Sequence, residues 1–501
     1  MELTTRKALF PPLNLITVAA LLPKEWELRL ADRNLRAVSE EEWNWAELVM
    51  FSAMNVQKED CLEQIREAKR RGKRVAVGGM YPTSWPQEAE AVGADYLILN
   101  EGEITISPFI QALQRGETQG RFSAEGQYPD LAQSPTPRFD LLELNAYETA
   151  SVQFSRGCPF QCEFCDITSL YGRKTRAKTP EQFLAELDVL RKSGWDRGVF
   201  VVDDNFIGDK TRARALLKQL QAWQQKHGYP FFFSTEASVN LAHEAELLNL
   251  MVECGFNAVF LGIETPDEQT LNAAHKQQNT RAPIAEAVEK ITCAGLRVMG
   301  AFILGFDGET AGAGRRIAQF VEQTSIPIAF LSILQALPRA ALWKRLQQEN
   351  RLLETAATGV MNFIPTRPAE EIGKEYIEAV GELYEPRRFL DRVYRHFLIL
   401  GAPRFKAASH APRWSDIHAL FFILWRQGVM RNTRWKFWRY LLCLALKNPR
   451  VVKHYLVVCA HIEHLFPYQK KVQKEFTARL QRASTHGASN TRPIGNHPET
   501  A

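Results

Sequence analysis

Three cysteines on one short segment have the types and spacing to do chemistry. They lie in Ser155-Arg-Gly-Cys158-Pro-Phe-Gln-Cys162-Glu-Phe-Cys165, so the Cx3Cx2C spacing places three thiolates on a single loop. A 4Fe-4S cluster has four irons and usually takes four Cys ligands, so three cysteines leave one iron open to bind a substrate or cofactor. The spacing therefore predicts an iron-sulfur cluster held by Cys158, Cys162 and Cys165.

Two alternatives compete for these cysteines: a structural zinc site, and a disulfide with a spare thiol. Structural zinc takes four ligands from paired knuckles, and no second CxxC or HxxxH pair follows downstream. No signal-peptide apolar stretch follows the charged residues 1–10, which predicts a reducing cytoplasm where disulfides are disfavoured. The other cysteines are interpreted as small buried hydrophobes: Cys61, Cys254, Cys293, Cys443 and Cys459.

Composition bounds the class of protein. The chain has 501 residues, 45% of them hydrophobic and 24% charged, with a net charge of +5. These values are typical of a folded globular protein of about three domains. No apolar run reaches the ~18 residues of a membrane span, so no segment is predicted to cross a bilayer. The tail over residues 483–501 is rich in Ser, Thr, Asn, Gly and Pro and is predicted to be disordered.

The cysteine loop must be positioned by surrounding secondary structure. The pattern of the first part of the chain predicts a doubly wound α/β domain over residues 1–125. Apolar runs at 49–54, 74–79 and 96–100 predict strands, and the periodicity of 58–71, 85–92 and 104–115 predicts helices. The segment 13–22 is helix-like, so the domain is predicted to lack its first strand. Ligands bind at strand ends in such sheets, where Gly78-Gly79 and Glu101-Gly102-Glu103 fall.

The second part, residues 148–340, alternates strand and helix signals six times and predicts a partial (β/α)6 barrel. Strands are predicted at 150–154, 199–203, 231–236, 258–263, 298–305 and 328–334. In such barrels the chemistry sits at the carboxyl ends of the strands. After the cysteine loop, three further strand ends carry polar residues or glycine: Asp203, Asp204 and Asn205; Ser234 and Glu236; Gly262 and Glu264.

These motifs together resemble the radical S-adenosylmethionine (SAM) superfamily. Phe164 precedes the last motif cysteine, and Val-Asp-Asp-Asn-Phe, Ser-Thr-Glu-Ala-Ser, Leu-Gly-Ile-Glu-Thr and Gly-Phe-Asp-Gly-Glu follow in order. The preceding sheet domain resembles the cobalamin-binding domain of the B12-dependent branch. The resemblance runs from about residue 6 to about residue 470, within the subgroup that contains the bacterial hopanoid C-2 methylase.

The resemblance implies three cofactors: a 4Fe-4S cluster, SAM and cobalamin as methylcobalamin. SAM would chelate the iron that the three cysteines leave open, and its reductive cleavage would yield a 5'-deoxyadenosyl radical. The resemblance places Phe164 near the adenine and the loop from Asp203 to Asn205 near the methionine amine. It places four further residues around the ribose: Ser234, Glu236, Gly262 and Glu264. No catalytic residue is assigned beyond the cluster.

Cobalamin would lie between the sheet domain and the barrel mouth. The resemblance implies contacts from residues at the strand ends of the sheet: Ser52, Gly78, Gly79, Tyr81 and Glu101. The chain has no Asp-x-His-x-x-Gly sequence. Cobalt would therefore lack a histidine ligand from such a loop, as is usual in this branch.

The third part, residues 341–482, is predicted to be helical and carries a basic, aromatic segment. Between positions 401 and 450 ten Lys or Arg residues face one acid, Asp416. Aromatic side chains are interleaved with them: Trp414, Phe421, Phe422, Trp425, Trp435, Phe437 and Trp438. This pattern favours a helix lying in the interface of an anionic membrane. A nucleic-acid patch lacks an accompanying motif, and an aromatic core with a solvated basic face is the second alternative.

The resemblance implies a B12-dependent methyltransferase that acts on an unactivated carbon of a polycyclic or isoprenoid lipid, with a hopanoid favoured. We expect a cytoplasmic enzyme on the membrane surface that receives electrons from a low-potential donor such as ferredoxin or flavodoxin and binds no nucleic acid. Two alternatives stay open. One is a radical SAM cyclase or tailoring enzyme acting on a tetrapyrrole or another lipid, and the other is a non-catalytic sensor of a cluster or corrinoid.

Overall fold

The computed structural model describes residues 6–353, 360–400 and 414–485. Within them the chain divides into two compact units. The N-terminal unit comprises Arg6–Pro159 and Ile167–Trp223, and the C-terminal unit comprises Phe160–Asp166 and the described residues from Gln224 onward. The cysteine loop therefore contributes to both units.

A four-stranded parallel sheet forms the core of the N-terminal unit, in the strand order β1-β2-β3-β4. Its strands are β1 (Leu48–Ser52), β2 (Arg74–Gly78), β3 (Tyr96–Leu99) and β4 (Gly120–Ser123). The helices of this part are α1 (Leu13–Ala19), α2 (Glu40–Trp45), α3 (Lys58–Arg70), α4 (Met80–Ser84), α5 (Pro86–Ala91) and α6 (Gly102–Gln114). Residues 6–12 contain no strand; Ala8 forms only an isolated parallel bridge with Tyr147.

Helices cover both faces of this sheet. Side chains along a strand alternate between its faces, so a strand whose successive residues are apolar must be buried on both sides. Val75 and Val77 pack with Ile65 of α3 on one face. Ala76, between them, packs with Phe109 of α6 on the other. The predicted α/β class is thus confirmed. Strand β4 was not predicted, because its residues are half-buried or exposed and give no apolar run.

The remainder of the N-terminal unit surrounds the first half of the cysteine loop. Its elements are β5 (Ala150–Val152), β6 (Ser155–Arg156), α7 (Ile167–Tyr171), β7 (Arg176–Ala177), α8 (Pro180–Lys192), β8 (Gly198–Val201) and α9 (Lys210–Lys226), whose last three residues belong to the C-terminal unit. β5 pairs with β8 in parallel, and β6 pairs with β7 antiparallel. Helix α8 begins where the sequence signals a start, since Thr179 and Gln182 form a capping box around Pro180.

Four parallel strands form the sheet of the C-terminal unit, in the order β9-β10-β11-β12. The elements are β9 (Phe232–Ala237), α10 (Ala245–Glu253), β10 (Phe256–Glu264), α11 (Glu268–Ala273), α12 (Ile284–Ala294), β11 (Arg297–Leu304), α13 (Ala313–Gln323) and β12 (Ile328–Ile333). Together with β5 and β8, these are the six strands predicted for residues 148–340.

One face of this sheet is only partly covered. Along β11, Val298, Phe302 and Leu304 are buried, whereas the alternate residues Met299 and Ala301 are half-buried. The strand register places their neighbours on the same face. We call this surface the open face, and it consists of Ser234, Glu236, Phe260, Gly262, Met299, Ala301, Ile303, Phe330 and Ser332.

The chain ends in helices, as predicted. They are α14 (Ala341–Gln348), α15 (Ala369–Leu383), α16 (Pro386–Leu400), α17 (Trp414–Trp425), α18 (Arg434–Lys447) and α19 (Val452–Thr485), with a π-helix at Arg426–Met430. α15 packs on α13 and α19, and α16 packs on α12. None of the described helices is long and apolar enough to cross a membrane. Of the tail predicted over residues 483–501, residues 486–501 lie outside the described part.

Candidate functional site

A glycine turn opens the cysteine loop in the N-terminal unit. Gly157 has φ +91°, and a Cβ there would lie 2.8 Å from the carbonyl oxygen of Gly172. Its N–H donates to Asp204 Oδ2 at 2.8 Å, and the next N–H, that of Cys158, donates to the carbonyl of Gly172 at 3.3 Å. Glycine is therefore required at this position, and the turn fixes the backbone at the first motif cysteine.

Asp203 holds the chain just before that turn. Its carboxylate accepts the N–H groups of Phe154 at 2.8 Å and Ser155 at 2.9 Å, and the Ser155 hydroxyl at 2.6 Å. Burial raises the pKa of Asp203 to about 7 and that of Asp204 to about 6, although the hydrogen bonds oppose this. Asn205 is also buried. Both carboxylates thus bind backbone of the cysteine segment, which sequence reasoning did not anticipate.

A buried charge network joins the cysteine segment to the end of β3. Arg156 donates to Glu101 at 2.7 Å and to Glu103 at 2.8 Å, and Arg176 donates to Glu101 at 2.7 Å. Although burial opposes it, the charge of Arg156 lowers the pKa of Glu103 to about 2. Glu101 is only 3% exposed. Since Arg156 belongs to β6 and Glu103 to the first turn of α6, the network connects these two elements.

In the C-terminal unit, a second segment lies near the other two motif cysteines and contacts one of them. Gln278 donates its side-chain N–H to Cys162 Sγ at 3.3 Å. The buried Lys276 ammonium donates to Glu264. Burial lowers the pKa of Lys276, but Glu264, Cys162 and Cys165 outweigh it and hold that pKa above its ordinary value. A hydrogen-bond donor and a cation therefore lie near the thiols, which suits groups that act as thiolates.

Phe164 is held between two neighbours of the same unit. Its ring lies 5.5 Å from that of Phe306, edge to face, and the Lys276 ammonium lies 5.5 Å from its centre. The preceding N–H, that of Glu163, donates to the carbonyl of Ala274 at 3.0 Å. The segment after α11 thus packs along the cysteine loop.

The ends of β9 and β10 bring together four of the predicted SAM residues. Ser234 and Glu236 are half-buried on the open face. Glu264 has φ +67°, and a Cβ on Gly262 would lie 2.6 Å from its Oε1. Asn279 donates to the carbonyls of Gly262 at 3.0 Å and Ile263 at 3.1 Å. The glycine and the positive φ allow Glu264 to fold back against its own strand.

The three motif cysteines differ from the buried ones. Cys158, Cys162 and Cys165 are partly accessible, whereas burial raises the pKa of Cys61 to about 11 and that of Cys459 to about 12. Three accessible thiols on one loop fit an iron-sulfur cluster, whose ligands are thiolates. The prediction that all other cysteines are buried was wrong for two of them, since Cys293 is exposed and Cys443 is half-buried. Both lie on helix faces that sequence alone did not place.

At the edge of the N-terminal sheet, three predicted cobalamin residues converge. Asn14 donates to the Ser52 hydroxyl at 2.6 Å. Gly79 has φ +95°, and a Cβ there would lie 2.6 Å from Ser52 Oγ, while one on Gly78 would lie 2.8 Å from the carbonyl of Ile98. Glycine is therefore required at both positions, because a side chain there would meet residues at the ends of β1 and β3.

The other two predicted cobalamin residues bind protein groups instead. Tyr81 is fully buried, and its hydroxyl donates to Glu88 at 2.7 Å. Glu101 is engaged by Arg156 and Arg176. Sequence reasoning did not identify these arginines, because their pairing depends on how β6 and β7 fold beside β3.

Three family models match the chain. They describe a B12 binding domain over residues 3–109, the radical SAM superfamily over residues 152–321, and a domain of unknown function (DUF4070) over residues 340–478.

Similar proteins extend over almost the whole length. The chain is 56% identical over 486 residues to an uncharacterized methyltransferase of Synechocystis sp., covering 96% of this chain and 90% of that protein. It is 34% identical over 493 residues to the hopanoid C-2 methylase of Rhodopseudomonas palustris, covering 95% and 92%. The structure of TsrM, a radical SAM methyltransferase from Kitasatospora setae with cobalamin and a 4Fe-4S cluster bound, matches with a TM-score of 0.62 at 13% identity, covering 92% of this chain and 98% of that one.

Proposed function

This chain belongs to the cobalamin-dependent radical SAM methyltransferases, in the family that contains the hopanoid C-2 methylase, and from that premise we propose that it methylates an unactivated carbon of a polycyclic or isoprenoid lipid, with a hopanoid as substrate. Its cofactors are a 4Fe-4S cluster, SAM and cobalamin. When bound, these groups supply a carbon-centred radical and a transferable methyl group. The work of the protein is to bind, orient and shield the reactants.

The open face supports an apolar substrate, and this observation carries the proposal of a lipid. Phe260, Met299, Ala301, Ile303 and Phe330 line it, and Phe330 is 47% exposed. The rings of Phe260 and Phe330 lie 5.7 Å apart. A saturated polycycle offers few groups to hydrogen-bond, so it is bound by burial of apolar area, at about 25 cal/mol per Å².

The residues that hold the cluster and SAM are part of this proposal. Cys158, Cys162 and Cys165 would ligate three irons. The residues proposed to bind SAM are Phe164, Asp203, Asp204, Asn205, Ser234, Glu236, Gly262 and Glu264. The contacts of Asp203 and Asp204 with the loop backbone add a second task, which is to hold the loop in shape.

For cobalamin, Ser52, Gly78 and Gly79 are the favoured contacts, because they lie at the carboxyl ends of β1 and β2, where open α/β sheets bind ligands. Tyr81 and Glu101 remain in the proposed set, but their side chains already have protein partners. We assign them to shaping the site. We further propose the division into a B12-binding domain (1–125), a radical SAM core (148–340), a helical domain (341–482) and a tail (483–501).

Association with a membrane surface is supported by the C-terminal helices. Four aromatic residues there are exposed, namely Trp414 (85%), Phe421 (67%), Trp425 (50%) and Trp435 (76%). Phe437 is buried and Trp438 donates to the carbonyl of Gly428 at 2.9 Å, so part of the aromatic set is core. The basic residues Arg404, Lys406 and Arg413 lie outside the described residues.

The charges of this segment complement an anionic bilayer. Lys436 pairs with Asp391 and Arg431 with Glu463, both within 3 Å. Within the described residues 414–450, four exposed cations have no acidic partner within 4 Å: Arg434, Arg439, Lys447 and Arg450. Cations beside exposed aromatic rings suit the headgroup region of such a membrane. A substrate dissolved in the bilayer would then reach the enzyme directly.

The proposed function is tested with anaerobically reconstituted protein. It is supplied with methylcobalamin, SAM carrying a deuterated methyl group, reduced flavodoxin or ferredoxin as electron donor, and a hopanoid in vesicles. We expect mass spectrometry to detect a labelled, methylated hopanoid together with 5'-deoxyadenosine. The same assay is run with a tetrapyrrole as the methyl acceptor. Formation of 5'-deoxyadenosine without a labelled lipid would contradict the lipid substrate, and a labelled tetrapyrrole would support the alternative.

Cysteine variants test the cluster assignment in the same assay. Cys162→Ala should lose bound iron and the formation of 5'-deoxyadenosine, because one of three ligands is gone. The matched control is Cys293→Ala, which removes an exposed thiol from α12 and should retain both. A Cys162→Ala protein that still cleaves SAM would contradict the assignment.

A further inference from the structure

Gln278 makes a contact that the proposed function does not use. Its side-chain N–H points at Cys162 Sγ, 3.3 Å away, and the residue is 5% exposed. The sulfur of a cysteine is a weak acceptor when protonated and a stronger one as a thiolate. A buried amide aimed at a sulfur therefore fits a thiolate that carries charge.

The turn that carries Gln278 is anchored at several points. The residues Gln277–Asn279 form a 3-10 turn, and Asn279 binds two carbonyls at the end of β10. On the other side, Lys276 donates its backbone N–H to the carbonyl of Leu271 at 2.9 Å. The amide of Gln278 is thus presented to the sulfur by fixed backbone.

The neighbouring cation does not provide the same interaction. Lys276 is close enough to Cys162 and Cys165 for their charge to raise its pKa. Its ammonium, however, is paired with Glu264, so the two charges largely cancel at a distance. Gln278 is the group of this turn that donates a hydrogen bond to the sulfur itself.

From these contacts we infer that Gln278 sets the reduction potential of the cluster through an N–H···S hydrogen bond to Cys162. This inference rests on the cysteine assignment of the proposed function. Reduction adds one electron and so one negative charge, which a donor aimed at a ligand sulfur stabilises. Hydrogen bonds to the sulfurs are among the factors that determine the potential of iron-sulfur clusters. Gln278 is accordingly a positioning residue that makes the cluster easier to reduce.

The test measures the midpoint potential by a redox titration followed by electron paramagnetic resonance, in reconstituted full-length protein. Gln278→Leu keeps the size of the side chain but has no donor. We expect about a tenfold loss in the equilibrium constant for reduction, which is about 59 mV for one electron. Gln278→Glu, which also adds negative charge, should shift the potential further in the same direction.

Gln277→Leu is the matched control, because Gln277 lies in the same turn and is exposed. It should leave the potential unchanged. A Gln278→Leu protein with full iron content and an unmoved potential would overturn the inference. The inference would also be overturned if both Gln278 variants lost iron while Gln277→Leu kept its full iron content. Gln278 would then be needed to assemble the site. A wild-type protein that binds no cluster would instead overturn the cysteine assignment.

Discussion

The guanidinium of Arg156 lies 2.7 Å from the carboxylate of Glu101, and both groups are almost fully buried. Arg156 lies two residues before Cys158, and Glu101 is the residue that precedes α6, just after the end of β3. The pair therefore links the sheet edge proposed for cobalamin to the loop proposed for the cluster. Both ends belong to the same compact unit.

The first prediction concerns the stability that this link provides. Glu101→Gln leaves Arg156 and Arg176 buried without a full counter-charge, and breaking a buried pair typically costs about 3–5 kcal/mol. We expect a clearly lower melting temperature of the cofactor-free protein, measured by circular dichroism. Glu90→Gln, at an exposed position of α5, should leave it unchanged.

The same variant separates two roles for Glu101. If Glu101 acts by contacting cobalamin, Glu101→Gln would weaken cobalamin binding while the cofactor-free protein melts as before. That result, read from a titration with hydroxocobalamin and from the melting curve together, would contradict the structural role.

The second prediction is a pH dependence that arises from Asp203. Its pKa is raised by burial to about 7 in the folded protein, against about 3.9 in an unfolded chain. Between these values the folded state holds a proton that the unfolded state has released, so stability falls as pH rises from about 4 to about 7. Asp203→Asn carries no such proton, and its melting temperature should fall less between pH 5 and pH 8.

Two other aspartates, Asp204 and Asp140, provide comparisons for the pH dependence of the Asp203→Asn protein. Asp204, whose pKa burial raises to about 6, should leave a residual slope in the Asp203→Asn protein. In Asp140→Asn the full slope should persist, because Arg138 holds the pKa of Asp140 below its ordinary value and hence below the tested range. An unaltered slope in Asp203→Asn would mean that Asp203 is ionised when folded.

The strands and helices were largely predictable, because an apolar run or a helical periodicity extends over several residues of each. Helix α3 (Lys58–Arg70) and strand β3 (Tyr96–Leu99) each end within one residue of the predicted bounds, 58–71 and 96–100. Strand β4 was missed because it lacks an apolar run, and β6 and β7 because two-residue strands carry no periodic signal. Local pattern thus identified most of the elements that bury a face but missed short ones such as α2, whose six residues bury only Trp43.

The residues of the site could be predicted from the sequence where the spacing of their side chains indicates a particular chemistry. The cysteines follow a local motif, whereas Gln278 reaches Cys162 across 116 positions of sequence. Arg176 reaches Glu101 across 75 positions. Such contacts depend on how turns place side chains, which no single segment encodes. The partners of the motif residues therefore emerged only from the structure.

The third prediction tests the proposed membrane surface. Replacing Phe421, Trp425 and Trp435 together by Ser removes three exposed rings. We expect partitioning onto vesicles that contain phosphatidylglycerol to fall about tenfold or more, since ~1.4 kcal/mol suffices for each factor of ten. Val56→Ser, which removes an 88% exposed apolar side chain elsewhere, should bind as the wild type does. Equal binding of the triple variant would contradict the assignment.

Salt separates the two contributions to that binding. Attraction of Arg434 and Arg439 to anionic lipid is screened at high ionic strength, whereas insertion of aromatic rings is not. Binding of the wild type should therefore weaken, but persist, when salt is raised. Binding that is insensitive to both salt and lipid charge would indicate a purely apolar contact.

The fourth prediction concerns the open face. Phe330→Glu places a carboxylate beside Phe260, where an apolar substrate would have to desolvate it, and an unpaired buried charge is costly. We expect the KM for the lipid to rise about tenfold or more, or turnover to vanish. Formation of 5'-deoxyadenosine in the absence of lipid should persist, because Phe330, on β12, is not among the residues proposed to bind SAM or the cluster.

Phe330→Leu shows whether the effect is one of polarity or of fold. Leucine keeps the position apolar, so its KM should stay close to that of the wild type, and both variants should melt alike because Phe330 is 47% exposed and contributes little to the core. A Phe330→Glu enzyme with an unchanged KM would place the substrate elsewhere. A rise in KM for the Glu variant alone, at equal stability, would locate the lipid on the face formed by β10, β11 and β12.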